Sequence, residues 1–147
     1  MARFALVTGA AGDLGRAVCD AFADSGWSLF VTDHPSAAER LEATREACAR
    51  DGTEVVPATF DVTDHDAVVR SLAALAEGNG PPAAVVAGAG IQGPFAPVQD
   101  YGVGSFRRVL DVNAALTRIP CGAKSRVALF TSPGARDGTD PRPGAVS

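Results

Sequence analysis

Three glycines spaced by threes, Gly9, Gly12 and Gly15, stand between an apolar run at residues 3–7 and a helical pattern that starts at residue 14. In that setting the spacing has a chemical meaning. Glycine lets the chain turn sharply and brings bare backbone against a ligand. The helix that follows aims its unpaired N–H groups, at the positive end of its dipole, toward an anion. A dinucleotide pyrophosphate is the anion such a loop holds, and the residues placed around it are Gly9, Gly12, Asp13, Leu14 and Gly15. Glycines also serve ordinary turns and close helix–strand packing, so the pattern alone leaves both uses open.

Other residues fit the same ligand. Asp33 ends the second apolar run, 18 residues after Gly15. A carboxylate there can accept hydrogen bonds from the adenosine ribose and would repel a 2′-phosphate. No lysine or arginine stands at positions 10 or 11 or beside Asp33 to offset that repulsion, so NAD is expected over NADP. The other reading of Asp33 is a turn or helix-cap aspartate. Asp61 and Val62 follow the third run; Asp61 could reach the adenine amino group, or could begin the helix that Asp64 opens. Gly88, Ala89 and Gly90 follow the fourth run, where small residues admit close backbone approach to a cofactor or simply form a loop.

These residues need a scaffold, and the periodicity predicts one. Strand-like runs lie at 3–7, 28–32, 54–59, 83–87 and 126–131, and helical patterns lie between them. The first helix covers 14–25 with Leu14, Val18 and Phe22 on one face. The second covers 36–50, with Ser36 as N-cap and Gly52 as its end. The third runs from an Asp64 cap to Glu77 with Val68, Leu72 and Leu75 apolar, and Gly78 to Pro82 break the chain after it. The fourth covers 103–117 with Phe106, Val109, Leu110 and Leu116 apolar, and Pro120 stops it. Five strands alternating with four helices, without a hairpin signal, give a parallel α/β sheet with helices on both faces. Residues 133–147 have no period and three prolines, and read as a disordered tail.

The bulk numbers bound the rest. The 147 residues suit one domain, with 46% hydrophobic and 20% charged residues. A net charge of -4 gives no reason to expect nucleic acid or an anionic membrane as partner. No signal peptide is read at the N-terminus, and no apolar run is long enough to span a bilayer. The three cysteines, Cys19, Cys48 and Cys121, are far apart, so neither a disulfide framework nor a metal site is expected, and a reducing cytoplasm is the simplest setting.

Together these residues resemble the short-chain dehydrogenase/reductase family. Thr8-Gly9-Ala10-Ala11-Gly12-Asp13-Leu14-Gly15, Asp33, Asp61-Val62, Ala89-Gly90-Ile91 and Leu110-Asp111-Val112-Asn113 follow the family's order and approximate spacing over residues 3 to about 132. The resemblance implies a Rossmann-type, doubly wound parallel sheet of five strands in the order 3-2-1-4-5. It implies an NAD(P)-binding domain over residues 1–132, and hydride transfer between nicotinamide and a carbinol or carbonyl carbon. It also assigns a substrate-binding serine to Ser132 and a supporting asparagine to Asn113. On the residues alone, the alternative for Ser132 is an ordinary strand-end turn serine. Asn113, on the apolar face of its helix, needs a partner and is either functional or a buried structural kink.

The match has gaps. Asp13 stands where common one-domain members carry glycine, and puts a carboxylate near the expected pyrophosphate. Ala87-Gly88-Ala89-Gly90 replaces the family's Asn-Asn-Ala-Gly. The family moves the substrate proton with a tyrosine whose pKa is lowered by a lysine one helical turn later. This sequence has one tyrosine, Tyr101, and one lysine, Lys124, 23 residues apart and both before Ser132. Tyr101 is expected to flank the start of the Phe106 helix instead. The C-terminal part of the family fold is therefore expected to be missing, with the open edge of the fifth strand covered by an oligomer or a partner chain. Three readings follow: an oxidoreductase acting on an alcohol or ketone but inactive as this isolated chain, a non-catalytic NAD(H)-binding module, or a defective fragment.

Overall fold

The computed structural model describes residues 3–115 and 126–129. Strands β1 (Phe4–Thr8), β2 (Ser28–Asp33), β3 (Val55–Thr59), β4 (Ala84–Ala87) and β5 (Arg126–Leu129) form one parallel sheet in the order β3-β2-β1-β4-β5. This is the order implied by the resemblance. Helices α1 (Asp13–Asp24), α2 (Ala38–Cys48), α3 (His65–Ala76) and α4 (Val103–Ala115) connect the strands. The chain leaves β1 in one direction to build β2 and β3, then returns to place β4 on the other side of β1. The strand order reverses between β1 and β4, and a crevice opens there beyond the carboxyl ends.

The apolar strands explain themselves by period. Alternate residues of a strand face opposite sides of the sheet. Ala5, Val7, Leu29 and Val31 pack with Cys19 and Ala23 of α1 and with Leu41 and Cys48 of α2. Phe4, Leu6, Phe30 and Val85 pack with Leu75 of α3 on the other side. The Phe4 and Phe30 rings stack with centroids 4.4 Å apart. At the amino end of the sheet, Trp27 meets the Phe22 ring edge-on and the Arg3 guanidinium lies 4.5 Å from its centroid. On the outer strand β3, Pro57 pairs in register with Val31. The Phe60 N–H turns inward to the Asp33 carbonyl, so by alternation position 57 is one whose nitrogen faces outward, and the proline removes no ladder bond.

Two helices differ in detail from the sequence reading. In α1 the fully buried stripe is Gly15, Cys19 and Ala23. Small side chains let that helix sit close to the sheet, while Val18 and Phe22 flank the contact and Leu14 is half exposed. Ser36 does not cap α2. Pro35 starts a short 3-10 turn at Pro35–Ala37, and the residue capping it is His34, extended as a residue before proline must be. Its Nδ1 accepts the Ser36 N–H at 3.2 Å. α2 ends at Cys48, short of Gly52, because Arg50 donates to the carbonyls of Ala47 and Ala49 at 2.6 and 3.1 Å and closes the helix end. Gly52 serves the following turn with φ +78°.

The rest follows the reading closely. Asp64 caps α3 by accepting the Ala67 N–H at 2.9 Å. Gly78 and Gly80 take positive φ in the break after it. Tyr101 lies just before α4, as expected. Phe106 and Leu110 of α4 are about half exposed. No described helix is long and apolar enough to cross a membrane. The predicted ends of α4 and β5, Leu116, Pro120, Lys124, Ser132 and the tail 133–147 lie outside the described residues.

Burial raises the pKa of both core thiols, Cys19 to about 12 and Cys48 to about 11. Cys48 also sits against Asp20, 3.3 Å from its carboxylate. Both values lie above the ordinary 9.0 that applies in the unfolded chain. The folded state therefore holds these protons longer, and their contribution is complete below pH 9.0 and lost as pH rises through 11 and 12. Denaturant titrations should show stability falling across that window, with a flatter profile in the Cys19→Ala/Cys48→Ala double variant.

Candidate functional site

The glycine loop is built by steric necessity at two of its three glycines. Gly9 has φ +70°, and a Cβ there would stand 2.7 Å from the Gly88 carbonyl oxygen. A Cβ on Gly15 would collide with the Gly9 carbonyl oxygen and press on the Ala10 backbone at 2.9 Å. Those two glycines let β1, α1 and β4 converge. Gly12 is different: its φ is −83°, and an added Cβ would meet only the Gly9 oxygen, at 3.4 Å. The fold makes little steric demand for a bare backbone at Gly12. Gly12 is also the N-cap of α1, and no side chain caps the first-turn N–H groups there. The Asp13 side chain is exposed in that first turn.

From there the crevice runs over the ends of β1, β2, β3 and β4, with a volume of about 390 Å³. Gly9, Asp33, Asp61, Val62, Gly88, Ala89 and Gly90 all line it, so seven residues from four separate loops come together there. Gly12, Asp13, Leu14 and Gly15 lie beyond its wall, at the helix terminus. Asp33 is firmly set. One carboxylate oxygen accepts the Ala11 N–H at 2.8 Å and the other the His34 N–H at 2.7 Å. The turn reading of Asp33 is thus half right, since the same group also ties the end of β2 to the glycine loop. Asp61 is not the cap of α3. Its Oδ1 accepts from the Thr63 hydroxyl and N–H at 2.7 and 2.9 Å, and these bonds, the hydroxyl first, hold its carboxyl below the usual range. Its other oxygen is 3.8 Å from His34 Nε2. Because His34 Nδ1 accepts the Ser36 N–H, the neutral ring carries its proton on Nε2, facing that carboxylate.

The end of β4 is clamped from both sides. The buried Thr8 hydroxyl accepts the N–H groups of Gly88 and Ala89 at 3.1 and 3.2 Å. Asn113 accepts the Ile91 N–H at 2.8 Å and donates to the Ile91 carbonyl at 3.2 Å. Its inward amide has therefore found a partner, as the sequence required, and that partner is the loop. Thr8 does from β1 what no asparagine of the 87–90 segment does. Sequence reasoning missed Thr8, His34 and Arg40, which also lines the crevice and makes no ion pair among the described residues. A polar residue closing an apolar strand was the available signal for Thr8. Among the described residues, no three His, Cys, Asp or Glu side chains gather as a metal site would need.

This arrangement can hold a dinucleotide: a cradle that Cβ atoms would fill, uncapped N–H groups for phosphate, and carboxylates for hydroxyl and amino groups. Known proteins agree. The family model described as short chain dehydrogenase matches residues 3–118. The acetoacetyl-CoA reductase of Allochromatium vinosum is 36% identical over 91 residues, 62% of this chain and 37% of its own. The 2-dehydro-3-deoxy-L-rhamnonate dehydrogenase (NAD(+)) of Sphingomonas sp. is 36% identical over 111 residues, 76% of this chain and 42% of its own. The NAD+-bound crystal structure of a xylitol dehydrogenase superposes with a TM-score of 0.74 at 32% identity, covering 80% of this chain and 45% of that one. The chain thus spans less than half the length of these relatives. Over the part it does span, matching residues and matching strand order lead to one conclusion: the chain belongs to the short-chain dehydrogenase/reductase family.

Proposed function

We propose that this chain binds NAD, in preference to NADP, as the cofactor-binding part of an oxidoreductase that interconverts small alcohols and ketones. The observation that carries the cofactor half is Asp33, a carboxylate fixed between the glycine loop and the His34 N–H, at the place where an adenosine ribose would lie. Asp61 and Val62 then border the adenine, and Gly88, Ala89 and Gly90 give it backbone clearance. Bound nicotinamide supplies the hydride acceptor or donor. Asn113 keeps the β4 loop in shape, and Ser132 is the candidate to bind the substrate oxygen. A relative named for NAD(+) and a solved relative holding NAD+ favour the same cofactor. The free thiols of Cys19 and Cys48 suit a reducing cytoplasm.

One observation favours a chain that binds without turnover. Its single tyrosine, Tyr101, has its hydroxyl packed against Gly93, away from the crevice, and no lysine follows at the spacing that would activate it. NADH fluorescence should therefore rise on titration with the 147-residue protein, with a micromolar to submillimolar midpoint, while a panel of small alcohols with NAD gives no rate above background. Absence of binding would sink the cofactor reading. Turnover would show that a different group moves the proton.

A further inference from the structure

The middle of the glycine loop is held from the side of β2 and α2, and one of its three holds comes from a residue outside the crevice. The Ala10 N–H donates to the Thr32 carbonyl at 3.1 Å, and the Ala11 N–H to Asp33 at 2.8 Å. The third hold is on the Ala10 carbonyl. It accepts from the hydroxyl of Thr44, a buried residue midway along α2, at 3.1 Å. The Arg40 carbonyl lies equally near that hydroxyl, but it already belongs to the helix's own ladder. Ala10 is fully buried, and its carbonyl has no other donor among the described residues, so leaving it unpaired is costly.

We infer that Thr44 is a positioning residue for the pyrophosphate: through the Ala10 carbonyl it holds the glycine loop so that Gly12 and the first turn of α1 meet the phosphates. Thr44 does not line the crevice, so it works only through the loop. The claim rests on the dinucleotide reading above and adds to it a dependence on one hydroxyl. It also makes α2 part of phosphate binding, since Asp33 and Thr32 hold the loop from the strand and Thr44 alone holds it from the helix. A ligand with phosphates should feel the loss of this hydroxyl, and a ligand that ends at the ribose should not.

The test uses the whole chain and two ligands, NADH by fluorescence titration and adenosine by NMR shift titration. Thr44→Val keeps the shape of the side chain and removes the donor. It should weaken NADH by about tenfold and leave adenosine within about twofold, whereas Thr44→Ser should bind both like the parent. A merely structural role would weaken both ligands alike. Equal NADH affinity in Thr44→Val and the parent, or a parallel loss of adenosine, overturns the inference. Should Thr44→Val fail to fold, Thr44→Cys, with a weak thiol donor of similar size, must show the same selective loss at a few-fold, and parent-like NADH affinity in it is equally fatal. If the parent itself binds neither ligand, the cofactor reading falls and this one with it; if only the Thr44 variants disappoint, the cofactor reading stands.

Discussion

Replacing Gly15 with alanine is expected to cost about 3 kcal/mol of folding stability and to abolish measurable NADH binding. The added methyl would collide with the Gly9 carbonyl oxygen and press on the Ala10 backbone. Both neighbours are main chain, so no side-chain rotation relieves the clash. The Ala10 backbone is also bonded to Thr32 and Thr44, and the loop cannot shift without breaking those bonds. α1 would have to lift from the sheet, taking Cys19 and Ala23 out of the core. Gly12→Ala is the instructive contrast. Its nearest neighbour would lie at 3.4 Å, so the fold should survive within about 1 kcal/mol while NADH affinity drops. Thermal unfolding of the two variants beside fluorescence titration separates the outcomes. A Gly15→Ala protein that unfolds like the parent would contradict the packing described for α1.

Affinity for NADH should exceed that for NADPH by about 100-fold, and Asp33→Asn should erase most of the difference. The carboxylate cannot swing away from an incoming 2′-phosphate without releasing two N–H groups, those of Ala11 and His34. The repulsion is therefore fixed in place, although solvent at this half-open site keeps it far below its low-dielectric value. An amide removes the charge, yet its single acceptor oxygen can serve only one of the two N–H groups. Asp33→Asn should accordingly lose some NADH affinity while it gains NADPH. Parallel titrations with both reduced cofactors check this. NADPH binding as tightly as NADH in the parent chain would refute the role given to Asp33.

The parts of this site legible in the sequence are those where the backbone itself is the functional group or where one charge closes a strand. Gly9 and Gly15 announce a close approach that no other residue tolerates, and Asp33 ends a run of apolar residues. Thr44 was not legible because its work depends on which carbonyl the fold brings opposite it, and spacing along the chain carries no such information; Thr8 was marked by its place as a polar residue closing an apolar strand, but not the N–H groups it would meet. Ser36 does not cap α2 because Pro35 opens a 3-10 turn that His34 caps, so Ser36 lies inside that turn and α2 starts after Ala37 with no side-chain cap. The stripe Leu14, Val18 and Phe22 had the right period on α1, but the glycine at position 15 turns the helix so that its smallest side chains face the sheet.

Pro57 has a consequence beyond the ladder it leaves intact. A border strand normally offers a foreign chain a continuous row of donors and acceptors, the template on which ordered fibrils extend. At this border the row lacks its central donor, so an incoming strand would lose a hydrogen bond midway along its length. Self-templated elongation is thereby disfavoured from the β3 side, at no expense to the native pairing with β2.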